Sequence, residues 1–139
     1  MLGISCFPDQ NKNMPSLRII DSITELNTSD IGCMAVSGSH GGISSARFAL
    51  AVRPLLTVFN DAGGGLDSAG LAALKLMEQH NLAACTVAHC TARIGEAQST
   101  LSSGVVSHIN TLAQALGIEV GWTCRRSADF ILASRKGSP

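Results

Sequence analysis

Ile31 to Ser37, Leu55 to Phe59 and Ala84 to Ala88 are apolar runs of strand length, too uniformly apolar for a sheet with one face in water. Each ends at glycine or at a polar residue, and a longer segment with apolar residues at helical spacing follows. Pro54 stops the first such segment, Ser44 to Arg53. Asp67 is a good N-cap for a helix through Asn81. A third helix is expected from Thr100 to Leu116, on the spacing of Val105, Val106, Ile109, Leu112, Ala113 and Leu116, with Gly117 closing it. Ile118 to Trp122 then reads as a fourth strand, and Leu17 to Asp21 as an edge strand. Buried strands joined by helices require right-handed crossovers and a parallel sheet covered on both faces. The expected fold is α/β, a three-layer sandwich with a mostly parallel sheet of four to five strands.

The 139 residues suit one domain, which at this size buries about two-thirds of its unfolded surface. Residues 1–15 read as a disordered lead-in and 16–135 as a single α/β domain. No long-period repeat is present, and no apolar stretch is long enough to span a membrane. The N-terminus lacks the basic start and apolar core of a secretory signal. A cytoplasmic setting follows, in which the five cysteines are reduced thiols without C-x-x-C or zinc-finger spacing.

Ten Lys and Arg balance ten Asp and Glu, and only Arg125-Arg126 and Arg135-Lys136 lie close together, so no nucleic-acid partner is expected. The charged fraction is 14%, well below a globular average of roughly 25%. That deficit predicts apolar surface buried against another copy, a homo-oligomer.

Parallel strands send all their strand-to-helix loops to one edge, where ligands of open α/β sheets bind at a reversal of strand order. Three loops on that edge hold the unusual residues. The first, Ser37-Gly38-Ser39-His40-Gly41-Gly42, opens a helix whose free N–H groups suit an anion, without a Walker or dinucleotide fingerprint. Turn glycines beside a solvated histidine are its plain alternative. The second, Asn60-Asp61-Ala62-Gly63-Gly64-Gly65, places a carboxylate at the end of a buried strand, as a general base or sugar-hydroxyl anchor. An Asx-turn would explain Asp61 equally simply.

The third loop runs from His89 to Glu96. Arg93 can clamp a carboxylate or phosphate through two parallel hydrogen bonds, or pair with Glu96. Cys90 stands beside His89 as an activated thiol or a passive one. His108 is expected on the third helix as a packed residue rather than a ligand. The combination Gly38-Ser39-His40-Gly41-Gly42, Asn60-Asp61-Ala62-Gly63 and Ala92-Arg93-Ile94-Gly95 resembles small bacterial α/β proteins over roughly Asp21 to Gly121. That resemblance implies a fold and carries no activity.

The residues predict a small-molecule enzyme using general acid/base chemistry, an isomerase, lyase or hydrolase, on a carboxylate- or phosphate-bearing metabolite. Its expected catalytic groups are His40, Asp61 and His89, with Ser39, Gly41, Gly42, Asn60, Gly63, Gly64, Thr91 and Arg93 binding substrate. No cofactor fingerprint is present. A divalent metal on His40, Asp61 and His89 is a lesser alternative, since two histidines and a carboxylate leave coordination positions open. The rival function is a non-catalytic anion-binding or regulatory subunit of a larger complex.

Overall fold

The computed structural model describes residues 16–64 and 70–136. They form an α/β fold around a five-stranded sheet of β1 (Leu17–Ile20), β2 (Met34–His40), β3 (Leu56–Asn60), β4 (Ala83–Val87) and β5 (Val106–Ile109). The order is β1-β2-β3-β4-β5, the first four parallel and β5 antiparallel to β4. Helices α1 (Ile43–Val52), α2 (Ala72–Gln79), α3 (Ala97–Ser103), α4 (Thr111–Leu116) and α5 (Cys124–Lys136) complete the fold. Both the expected lead-in and the Asp67 cap lie outside the described residues.

Side chains alternate across the strands and divide the core in two. Phe59, Ala84 and Ile20 meet Ala46 and Ala49 of α1 and Ala73, Leu74 and Met77 of α2. On the other face Met34, Val36, Leu56, Val58, Cys85 and Val87 meet Leu101 of α3, Ala113 of α4, and Cys124, Ala128 and Ile131 of α5. Every residue of β3 and β4 is buried, as a doubly covered parallel sheet requires. Among the described residues no helix is long and apolar enough to cross a membrane.

Two expectations need correction. The segment from Thr100 to Leu116 is not one helix but α3, β5 and α4. Gly104 ends α3 with an extended backbone, and a Cβ there would strike Val87. The chain then pairs with β4 through a register shift, with Val106 buried, Ser107 and Ile109 half-buried and His108 exposed. Asn110 starts the next helix: its Oδ1 accepts from the N–H of Ala113 and Ala84, and its Nδ2 donates to Leu74 and Leu82 O. A helix-spaced stripe was matched by two short elements because tertiary pairing overrides local spacing. Ile118 to Trp122 is correspondingly a turn, with Gly117 and Gly121 at positive φ.

The second correction concerns strand order, which does not reverse among the parallel strands. Both α1 and α2 lie on one face, so successive right-handed crossovers advance the same way. The change comes later, where the chain leaving β4 passes to the opposite face and α3 packs against β2 and β1. The segment making that passage is the third loop.

Candidate functional site

This loop crosses close over the carboxyl ends of β2 and β3. Gly95 N–H donates to Gly38 O at 2.7 Å, and a Cβ on Gly38 would stand 2.5 Å from the Glu96 nitrogen. Gly38 therefore admits backbone. Asn60, wholly buried at the end of β3, donates from Nδ2 to Ala92 O at 3.2 Å. Thr91 donates its hydroxyl to Ala88 O and accepts from Val105 N–H, while Ser99 Oγ accepts from Arg93 N–H. Asp21, just past β1, accepts from Ala97 N–H at the start of α3. Hydrogen bonds at so many points make the loop a rigid frame. Between it and β3 opens a cleft of about 800 Å³, lined among others by Asn60, His89, Cys90, Thr91, Arg93 and Ser99.

Asp61 is the electrostatic centre beneath this cleft, 6% exposed. Its Oδ1 accepts from Gly63 N–H at 2.8 Å and from His89 N–H at 3.0 Å, and its Oδ2 accepts from the Ser107 hydroxyl at 2.8 Å. His89 Nδ1 lies 3.5 Å from the same Oδ1, within ion-pair reach but longer than an N–H···O hydrogen bond. Burial by itself pushes the Asp61 carboxyl up. The Gly63 amide, the Ser107 hydroxyl, the His89 amide and the His89 ring charge outweigh it and hold the group below its ordinary value. Asp61 thus stays ionised wherever the chain is folded near neutral pH.

The turn that makes this possible is strained. Ala62 and Gly63 are consecutive residues at positive φ, 53° and 72°. For Ala62 the left-handed region is unfavourable and is held by Asn60 Oδ1, which accepts its N–H at 2.8 Å. A Cβ on Gly63 would meet the His89 ring at 3.4 Å, an ordinary contact, so the positive φ rather than space favours glycine there. His89 is 60% exposed and lines the cleft.

The other expected residues separate into two groups. Asn60, Thr91 and Arg93 line the cleft with His89, and Gly63 and Gly64 form the turn beneath it. His40 ends β2, exposed, with its ring over Gly42; among the described residues it makes no hydrogen bond or ion pair with Asp61 or His89. Ser39 Oγ accepts from Ile23 N–H, tying β2 to the turn after β1. Gly41 and Gly42 are buried, Gly41 packed against Gly70 O. No group of three or more His, Cys, Asp or Glu side chains among the described residues is gathered to hold a metal ion, so His40, Asp61 and His89 do not form that set.

No protein-family model matches the chain, no curated protein matches it, and no solved structure matches it.

Arg93 is 81% exposed, and its guanidinium stands 4.0 Å from Glu96, itself 56% exposed. Such a solvated pair is worth less than about 1 kcal/mol, leaving the guanidinium available to an anion. Four described cysteines are free thiols. Burial pushes Cys33 up to about 11 and Cys124 to about 12, and raises Cys85 further, so these three act as small apolar groups. Cys90 alone is exposed, on the cleft. Ser107 is absent from the expected site because its segment also matches a helix; Val105-Val106 directly after Gly104 is the β signal the sequence carries there.

Proposed function

We propose that the chain is a small-molecule enzyme of the isomerase, lyase or hydrolase type, using general acid/base catalysis on a metabolite that carries a carboxylate or phosphate. The observation that carries this reading is the contact of exposed His89 with buried, ionised Asp61 at the wall of the cleft. An Nδ1–H directed at Asp61 leaves the Nε2 lone pair toward the cleft, ready to accept a proton from substrate or water. The imidazolium so formed is stabilised by the carboxylate and returns its proton to the product or leaving group. His89 is the catalytic residue, Asp61 positions it, and Arg93 anchors the anionic group by a bidentate clamp. His40 takes no part in this reading.

The reading takes the chain as a cytoplasmic homo-oligomer. Its buried free thiols and low charged fraction support this, as do the exposed Ile43 and Phe48 on α1.

A turnover screen with phosphomonoesters and small carboxylic acids tests the proposal. His89→Gln should lower kcat by roughly 10²–10⁴ on any substrate found, the usual worth of a positioned acid/base group. Full activity in His89→Gln would contradict it. Saturable anion binding with no turnover in the wild type would favour the non-catalytic subunit instead.

A further inference from the structure

Beyond His89 and Asp61, we propose that Ser107 is a positioning residue of the site, its hydroxyl fixing the Asp61 carboxylate that orients His89. The inference rests on the acid/base reading and extends it to the edge strand.

Ser107 reaches Asp61 because β5 is irregular. Thr86 pairs with His108 and Val87 with Val106, so Ser107 is an extra residue with no partner on β4. A bulge of this kind re-aims a side chain, and here it brings Ser107 and His108 to the same neighbour, Thr86. The Ser107 oxygen lies 2.8 Å from Asp61 Oδ2, 2.9 Å from Thr86 Oγ1 and 3.2 Å from His108 Nδ1. A hydroxyl has one proton to give. The ionised carboxylate at 2.8 Å is a nearer and stronger acceptor than Thr86 O at 3.4 Å, so that proton goes to Asp61 and the Thr86 hydroxyl donates to Ser107 in turn.

The division of labour on the carboxylate makes the role specific. Oδ1 takes both backbone amides and faces the His89 ring; among the described residues, Ser107 is the hydrogen-bond donor on Oδ2. The hydroxyl fixes the plane of the carboxylate and helps keep it ionised. Its other ionisable neighbours are His89 on the loop after β4 and, through Ser107, His108 on β5.

The test is the titration of the Asp61 carboxyl carbon by NMR in the wild type, Ser107→Ala and Ser107→Thr, with kcat and KM measured on a substrate from the screen. Ser107→Ala should move the Asp61 midpoint upward and lower kcat about tenfold with KM unchanged, the loss of one charge-assisted hydrogen bond. Ser107→Thr, which keeps the hydroxyl, should restore both. An unmoved midpoint in Ser107→Ala, or a moved midpoint with unchanged kcat, overturns the inference. If Ser107→Ala does not fold, Ser107→Cys replaces it: its weak donor should give the same rise, and no rise overturns the inference. Loss of the acid/base reading shows separately, as full turnover in His89→Gln.

Discussion

His89 meets Asp61 twice: its backbone N–H donates to Oδ1 at 3.0 Å, and its ring nitrogen stands 3.5 Å from the same oxygen. The two contacts do different work. The first fixes where β4's loop begins relative to the end of β3, and the second sets the imidazole beside the buried carboxylate. Loop geometry and chemistry are therefore coupled through one buried carboxylate.

That coupling has a pH signature. Asp61 titrates below its ordinary value of 3.8 in the folded chain. Between the depressed value and about 3.8 the unfolded chain binds the extra proton, so stability rises with pH there. The contribution is fully present above that range and is lost as pH falls through the folded-state value. Asp61→Asn should remove it, giving a shallower decline below about pH 4 in urea unfolding. Equal pH slopes in both proteins would contradict the assignment.

Asn110 should be among the costliest polar positions to change. Its side chain joins α4, β4, α2 and the turn before β4 through four buried hydrogen bonds. Asn110→Ala strands two carbonyls and two amides and removes a helix cap, a loss of about 3 kcal/mol or more. The urea midpoint should fall with an unchanged slope. A change below about 0.5 kcal/mol, typical of an unconstrained surface site, would show that the network is dispensable.

Gly38 tests the loop's passage over β2. A Cβ there meets only backbone, at 2.5 Å from Glu96, 2.6 Å from Gly95 and 2.8 Å from Asp21. Backbone cannot swing aside as a side chain does, so Gly38→Ala should destabilise by about 1–3 kcal/mol. Amide shifts in its NMR spectrum should concentrate at residues 89–97. Wild-type stability with unshifted loop amides would mean the loop lies elsewhere.

The parallel core was legible because β2, β3 and β4 are buried on both faces, and such strands announce themselves as short apolar runs ended by polar or glycine residues. Asp61, His89 and Arg93 were legible for the same reason: they follow such strands. The chain around β5 was not. Val105, Val106, Ile109 and Leu112 fit a helix as well as a strand followed by a helix, and only pairing with β4 decides between them. Helix α5 carries buried Cys124, Ser127, Ala128 and Ile131 at i, i+3, i+4 and i+7, a signal present in the sequence but short of large apolar residues. The glycines of the first loop show why residue type alone misleads. Gly38, Gly41 and Gly42 each admit a neighbour from within the fold, and no local pattern distinguishes that from approach of a ligand.

Titration with inorganic phosphate, followed by NMR at the four histidine rings and the arginine side chains, tests most directly whether His89 and Arg93 serve the same anion in one cleft. The His89 and Arg93 signals should shift together and saturate with a single Kd, with His40 unmoved, and Arg93→Met should weaken that Kd by roughly tenfold to a hundredfold. A saturable shift at His40 without one at His89, or phosphate binding untouched by Arg93→Met, would contradict it.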